Sequence, residues 1–536
     1  MAPANDGVLA AMNWTHGTPG LLVGYSLTAA GTVIGLGLGR AKLKFFLASP
    51  FWAALFFLIA ILLVNLLALL PLHLGERLSS ILSVPYLLLF GTLMGRRLAD
   101  SDAPSHDHKR GTVLAAATAR LRPNSRKSNC LTLAGQPVHP GDETKHFKLI
   151  GTTGTGKSTA IRELLTAALE RGDRAVIADP DGSYLNRFYD PTRGDVILNP
   201  FDAQAVRWDL FGEMHTLYDA DQLARSLIVD TEDPERNWRN YARIFLSSLL
   251  RQLHRVKHDD VTELYQLLTN TPVDDLRDLL NDTPAGPYLG QDNGKFFGAV
   301  RAVANTHLSA LEHVAQQTAS QRLSVREWVK RGRSTEQGKG GQGATARGIL
   351  FLPYRANEIA TLRGLISTWM RLAIFETMNA PESDQKLWFI IDELDALGPI
   401  DGLKDALARL RKFGGRCVLG FQSIAQVSGT YGHAESQTIV ENCGNTLILR
   451  CSASEGGGTA RFASSLIGER EIIREQITKG HSGGFVFAND HRSVSTSQHH
   501  VTESAVLASQ IEQLPDLQGY LKFASTAEWR RVRLVI

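Results

Sequence analysis

Residues 148–165, KLIGTTGTGKSTAIRELL, restrict what this chain can fold into more than any other stretch. An apolar strand ending runs into Gly151-x-x-x-x-Gly156-Lys157-Ser158 and then directly into an amphipathic helix. This spacing is the P-loop template, in which glycines let the backbone turn tightly and aim its N–H groups at a phosphate. The helix beginning near Lys157 adds its positive dipole end to the same cradle. The strand before and the helix after are the context the template requires, which weighs against a plain glycine turn. The nucleotide-binding candidates are therefore Gly151, Thr152, Thr153, Gly154, Thr155, Gly156, Lys157, Ser158 and Thr159. Lys157 suits the β- and γ-phosphates of ATP, and the Ser158 hydroxyl suits Mg2+.

A P-loop that hydrolyses needs a carboxylate strand, and LWFIIDELDAL supplies one. Leu387 to Ile391 is uninterruptedly apolar and is followed by Asp392 and Glu393. Such a run predicts a strand buried on both faces, as in a parallel sheet. Carboxylates at its C-terminal end lie where open α/β sheets place ligands. Asp392 is expected to hold Mg2+ through water, and Glu393 to orient or deprotonate the attacking water. The two motifs together predict an ATPase with an α/β fold.

At 536 residues the chain has room for two or three domains. Its net charge of +3 is already present in residues 1–96, so residues 97–536 balance at 52 basic against 52 acidic side chains. Any nucleic-acid contact must then come from local patches rather than from the global field. Basic clusters occur at RLRPNSRK (120–127) and at Arg322, Arg326, Lys330, Arg331 and Arg333, each equally readable as a solvated face. Cys130, Cys417, Cys443 and Cys451 form no CxxC pair and have no histidine partners at zinc spacing. They read as small apolar residues in a reducing compartment, and no metal framework is expected from them.

The first hundred residues differ from the rest. Residues 45–72 contain no charge and exceed the roughly 20 apolar residues that span a bilayer. Residues 78–95 are shorter and close on Arg96 and Arg97. Residues 21–39 are Gly-rich, with Gly31, Gly35 and Gly39 at every fourth position offering a helix-packing face, and whether they span is left open. Both basic clusters, at 40–44 and 96–97, belong on the cytoplasmic side by the positive-inside rule, which puts the P-loop where ATP is. No basic segment precedes the first apolar stretch, so a cleaved signal peptide is not expected.

These readings divide the chain into a transmembrane anchor (1–96), a polar connector (97–145), an α/β nucleotide-binding domain split over 146–205 and 346–536, an inserted all-α domain (206–333) and a Gly-rich linker (334–345). In the insertion, Ile244, Phe245, Leu249, Leu253 and Val256 follow helical periodicity.

The order of GTTGTGKST, RGDRAVIADPDGSYL, DVILNPFD, the helical insertion, LWFIIDELDAL, ARLRKFGGRCVLGFQSIAQV and LPDLQGYLKFA resembles the type IV coupling proteins of bacterial conjugation, the TraD/TrwB type. The resemblance covers nearly all of residues 146–536. It implies a RecA-like domain with an all-α insertion, a multi-pass anchor in the bacterial inner membrane and a cytoplasmic homo-hexameric ring. It further implies DNA, a relaxase in its relaxosome and inner-membrane components of a type IV secretion system as partners. Gln422 matches the family glutamine that contacts the γ-phosphate or the attacking water. Arg411 matches a family arginine proposed to reach the neighbouring subunit's nucleotide, with Arg409 and Lys412 as nearby substitutes. The resemblance assigns no role to Asp179, Asp181 or Arg450. The chain stops at Ile536 directly after a strand, where family members often carry a long tail. Two other functions remain open at this stage: an FtsK/HerA-like DNA translocase with another cellular task, and a secretion receptor whose nucleotide site gates assembly.

Overall fold

The structure is a computed structural model. It describes residues 18–38, 43–68, 84–100, 107–115, 130–230, 234–334, 347–379, 381, 386–454, 457–482 and 491–535. They fall into two compact units, drawn from 1–108 with 472–500 and from 109–471 with 501–536.

In the first unit, helices α1 (Thr18–Leu38), α2 (Ser49–Ala68) and α3 (Val84–Asp100) stand where the sequence places the apolar segments of the anchor. Residues 45–68 do not form one helix, because Leu43–Leu47 is a separate short helix before Ser49–Ala68; residues 69–72 lie outside the described residues. In the 78–95 segment the described helix is Val84–Asp100, which runs past Arg96 and Arg97, while residues 78–83 lie outside the described residues. Among the described residues no helix is long and apolar enough to cross a membrane. The side chains of α2 are described only as far as Leu62. The predicted packing face is real for two of its three glycines. A Cβ on Gly31 or Gly35 would collide with the α3 backbone at Leu88 or Thr92, and one on Gly91 or Gly95 of α3 would reach the carbonyls of Thr28 and Thr32. Small residues on both sides let the two backbones touch. Gly39 lies outside the described residues.

The second unit is built on a ten-stranded sheet. Its strands are β1 (Leu114–Ala115), β2 (Phe147–Ile150), β3 (Arg174–Pro180), β4 (Val196–Ile197), β5 (Ile349–Tyr354), β6 (Leu387–Ile391), β7 (Gly415–Phe421), β8 (Asn445–Ile448), β9 (Gln518–Lys522) and β10 (Trp529–Arg533). Their order is β1-β10-β9-β8-β2-β7-β6-β3-β5-β4. From β8 to β4 all pairings are parallel, while β9 runs antiparallel to β8 and to β10. Side-chain alternation explains why these strands read as continuous apolar runs. On β6, Trp388 and Ile390 enter one core while Leu387, Phe389 and Ile391 enter the other. The strands β3 and β5 divide their residues the same way, so the sheet is buried on both faces.

Helix α4 (Lys157–Glu170) packs Ala160, Ile161, Leu164 and Leu165 on one of these cores. The opposite core continues into the insertion, whose largest helices are α5 (Leu217–Leu227), α6 (Arg236–Val256) and α7 (Gly294–Leu308). On α6, Phe245, Leu249 and Leu253 are buried as the periodicity predicts, but Val256 is 51 % exposed because it is the helix's last residue. The insertion leaves and returns through a parallel pair, Arg207–Trp208 with Arg322–Leu323. There the buried Glu213 accepts from Trp208 Nε1 (2.9 Å), Ser324 Oγ (3.0 Å), Val325 N (2.6 Å) and Arg326 N (3.0 Å). Arg326 ties this entry to the long helix α8 (Ile359–Met378) by pairing with Asp219 at 2.6 Å and Glu376 at 2.9 Å. In the basic cluster predicted around Arg326 that arginine is therefore engaged, and Lys330 pairs with Glu327 at 3.2 Å. The other cluster, at 120–127, lies outside the described residues, as does the linker from 335 onward. Within the connector, Thr132–Leu133 and Gln136–Pro137 form a short hairpin. Two long strands, Glu469–Ser482 and His491–Ser504, were not anticipated and belong to a separate three-stranded sheet. Their polar sequences bear too few apolar residues to announce a strand.

Candidate nucleotide site

The C-terminal ends of β2, β7 and β6 converge on the loop 151–156. Gly154 (φ +77°) and Gly156 (φ +116°) take left-handed conformations that favour glycine. The loop is held from three sides. Gly151 N donates to Phe421 O at 3.3 Å, Thr152 N to Arg450 O at 2.9 Å, and Leu517 N to Thr155 O at 3.0 Å. Within the loop the Thr155 hydroxyl donates to Thr152 O at 2.7 Å. Lys157 Nζ lies inside the turn, 2.6 Å from Gly151 O. Burial lowers its pKa, and Asp392 and Glu393 oppose that shift. Ser158 and Thr159 occupy the first turn of α4.

Asp392 is 4 % exposed, and one of its carboxylate oxygens is fully engaged. Oδ2 accepts from Ser158 Oγ at 2.6 Å and from the buried Tyr184 hydroxyl at 2.8 Å. Oδ1 is buried with no hydrogen-bond partner. Buried carboxylate oxygens are normally satisfied. An orphan oxygen beside a serine hydroxyl at the end of a P-loop is the donor set expected around a hydrated divalent cation. Tyr184 is itself positioned by Asp179, whose buried carboxylate accepts from Tyr184 N at 3.0 Å and Leu185 N at 2.7 Å. Burial pushes the Asp179 pKa up to about 6, against these backbone donors.

Glu393 points to the other group. Its Oε1 accepts from Gln422 Nε2 at 3.1 Å, and Gln422 Oε1 accepts from the Thr153 hydroxyl at 2.8 Å. Burial raises the Glu393 pKa, the charge of Asp392 adds to the rise, and the Gln422 hydrogen bond works against both. Tyr354, at the end of β5, is also buried, and its hydroxyl has no partner. Burial raises its pKa, and the nearby Glu393, Asp392, Asp179 and Asp395 raise it further.

The predicted residues 151–159, Asp392, Glu393 and Gln422 thus come together, and Arg411 does not. Arg411 is exposed and precedes β7, whereas Gln422 follows it. A seven-residue strand at about 3.3 Å per residue puts the two ends roughly 23 Å apart. Arg411 therefore cannot reach the phosphates of its own subunit. Sequence reasoning assigned no role to Tyr184, although it lies in the quoted stretch DPDGSYL; its partner is 208 positions away. Arg450, which was likewise given no role, holds the loop through its carbonyl while its side chain pairs with Asp516 at 2.7 Å.

A parallel sheet in which the glutamine strand β7 lies between the P-loop strand and the carboxylate strand is the frame of a RecA-like P-loop nucleotide-binding protein. Residues 130–535 match the family described as the type IV secretion-system coupling protein DNA-binding domain, and the chain belongs to that family. Among curated proteins it is similar to the coupling protein TraD of Escherichia coli (strain K12), at 29% identity over 405 residues, covering 75% of this chain and 54% of TraD. The chain thus spans about half the length of that relative. Among solved structures it resembles the bacterial conjugative coupling protein TrwBdeltaN70 in its unbound form, with 30% identity and a TM-score of 0.68, covering 81% of this chain and 95% of that one. It also resembles TrwB in complex with ADP and Mg2+, with 30% identity and a TM-score of 0.67, covering 80% of this chain and 94% of that one.

Proposed function

We propose that this protein is a membrane-anchored, DNA-dependent ATPase that brings a relaxase-bound DNA strand to a type IV secretion channel and drives its transfer. The observation that carries this reading is the pair of side-chain bridges from the P-loop segment to the β6 and β7 strand ends, Ser158–Asp392 and Thr153–Gln422–Glu393. Mg2+ would be held by Ser158 and Asp392, and it would neutralise charge developing on the phosphates of ATP. Tyr184 fixes the Asp392 carboxylate. The residues of the loop 151–156 present backbone N–H groups, and Lys157 exchanges the Gly151 carbonyl for the phosphates. Glu393 orients or deprotonates the attacking water, while Gln422 holds that carboxylate and reports the state of the phosphates. Arg411 acts on a neighbouring subunit's nucleotide in a homo-hexameric ring. The apolar helices of residues 1–96 are the multi-pass anchor in the bacterial inner membrane. Relaxosome and secretion-channel partners follow from the TraD and TrwB likeness.

The test is ATP hydrolysis by the full chain in detergent, with and without single-stranded DNA, and with Lys157→Ala as the blank. Hydrolysis that rises with DNA and vanishes in Lys157→Ala is expected. Hydrolysis indifferent to DNA would favour a receptor whose nucleotide site gates assembly. Fractionation tests the anchor: the full chain should sediment with membranes, and a chain lacking residues 1–96 should not.

A further inference from the structure

The loop 151–156 carries three threonines whose hydroxyls do different work. Thr152 Oγ1 donates to Arg450 O at 3.2 Å and Thr155 Oγ1 to Thr152 O at 2.7 Å, so both brace the loop through backbone carbonyls. Thr153 is exposed, and its hydroxyl reaches a side chain instead, the amide oxygen of Gln422, 269 positions away. It braces nothing within its own loop, so its worth lies in what it does to Gln422.

The backbone around Gln422 is already fixed by other contacts. On one side Gly151 N donates to Phe421 O at 3.3 Å. On the other, Ser423 Oγ accepts from Ala425 N at 3.2 Å as the cap of the helix Ile424–Tyr431. A Cβ on Gly420 would lie 2.3 Å from Asp392 O, so β6 and β7 are pressed together where they end. What these contacts leave undetermined is the amide itself. The last torsion of a glutamine is broad and roughly two-fold, and its two ends are alike in shape but opposite in polarity. An ionised Glu393 only accepts, so it must meet the nitrogen, which it does at 3.1 Å. The oxygen then faces Thr153, whose hydroxyl meets it at 2.8 Å. Held by Glu393 alone, the amide would hang on the longer of the two bonds. Held at both ends, it directs its second N–H at neither partner. Turned over, it would set its oxygen against the Glu393 carboxylate, two acceptors face to face, and Glu393 would lose the bond that orients it.

We propose that Thr153 is a positioning residue for ATP hydrolysis that acts through Gln422: its hydroxyl locks the amide so that Nε2 orients Glu393 and keeps one N–H for the nucleotide. The proposal rests on the ATPase reading above. Its test is ATP hydrolysis by the full chain in detergent with single-stranded DNA present, beside binding of a fluorescent ATP analogue. Thr153→Val keeps the shape of this exposed side chain and removes the donor. Its kcat should fall about fivefold, the worth of one hydrogen bond, with KM and analogue binding within about twofold of the unmodified chain. Thr153→Ser restores the donor and should recover most of the lost kcat. A residue that acts only through Gln422 has nothing left to lose without it, so Thr153→Val should cost no further activity in a Gln422→Ala chain. A raised KM with kcat kept would make Thr153 a ligand of the nucleotide and overturn the proposal. A loss that serine does not repair, or that recurs in the Gln422→Ala chain, would assign Thr153 to the fold of the loop and overturn it as well. An unchanged kcat in Thr153→Val would overturn it while leaving the ATPase reading intact. An unmodified chain that hydrolyses no ATP would overturn both.

Discussion

Ser158 Oγ donates to Asp392 Oδ2 across 2.6 Å, joining the first turn of α4 to the end of β6 although 234 positions separate them. Asp392 Oδ1 is left buried without a hydrogen-bond partner, which is the oxygen the proposed Mg2+ site would use.

Tyr184 is the other donor to Asp392 Oδ2, so Tyr184→Phe removes one of two bonds that orient the carboxylate. Loss of an outer partner of a metal ligand costs roughly 10–100-fold in metal affinity. Tyr184→Phe should raise the Mg2+ concentration for half-maximal hydrolysis by about tenfold, with maximal turnover nearly kept at saturating Mg2+. A titration of hydrolysis against free Mg2+ checks this, and an unchanged midpoint would reduce Tyr184 to core packing.

Glu393→Gln keeps the size and hydrogen bonding of the side chain but removes the base. ATP should bind and persist while turnover collapses. Binding of a fluorescent ATP analogue measured beside hydrolysis separates the two effects. Equal loss of both would mean that the roles of Asp392 and Glu393 are exchanged.

The pH profile offers a second view of Glu393. Its pKa is raised by burial and by Asp392, so activity that needs the carboxylate ionised should decline, on acidification, at a higher pH than for an ordinary glutamate. Gln422 donates to the ionised form and lowers the pKa. The residual activity of Gln422→Leu should therefore show its acid limb displaced further upward. A limb that stays in place would detach Gln422 from the titration of Glu393.

An arginine supplied in trans to a transferring phosphoryl group contributes on the order of 10³–10⁵ in rate. Arg411→Ala should leave ATP affinity nearly intact and remove DNA-stimulated hydrolysis. Mixing it with Glu393→Gln should restore some activity, because certain interfaces then combine an intact finger with an intact carboxylate pair. Confirmed mixed rings without any rescue would return Arg411 to the ordinary surface arginines.

Acid stability should depend on His146, which is 1 % exposed where β2 begins. Its Nδ1 accepts from Cys417 N at 3.0 Å and its Nε2 faces Leu407 O at 2.9 Å, so the neutral ring with its proton on Nε2 satisfies both. Burial lowers its pKa to about 4. The sign follows from the depressed value: the stabilisation is complete above the unfolded value near 6.5 and is lost as pH falls through that value toward 4. The full shift corresponds to about 3 kcal/mol. His146 has φ +54°, which asparagine tolerates, so in His146→Asn the fall of Tm between pH 6.5 and 4 should be shallower. Calorimetry across that range checks it, and parallel curves for the two proteins would refute the assignment.

The parts of this protein that were legible in its sequence are those whose cause is local. The Gly151–Ser158 spacing dictates a left-handed turn ahead of a helix, and observed α4 begins at the predicted Lys157. The apolar run Leu387–Ile391 can only be a strand covered on both faces, and β6 has those bounds. Motif order extended this reading to the family and to Gln422. What only the tertiary structure decided depends on groups brought together from distant positions. Nothing near Tyr184 in the chain indicates that its hydroxyl will meet Asp392, nor that Arg450 will serve the loop through its carbonyl. The insertion reads as a separate helical domain, yet Trp208 packs edge-on against Trp369 of α8 at 5.8 Å, and the two share one core. Its basic run likewise looked available until Arg326 was seen facing Asp219 and Glu376. Backbone preference and periodicity are set by neighbouring residues and survive in any context. Strand order, long-range hydrogen bonds and the pairing of buried charges are fixed only when the chain closes on itself, and a sequence pattern carries no distance between residues so far apart.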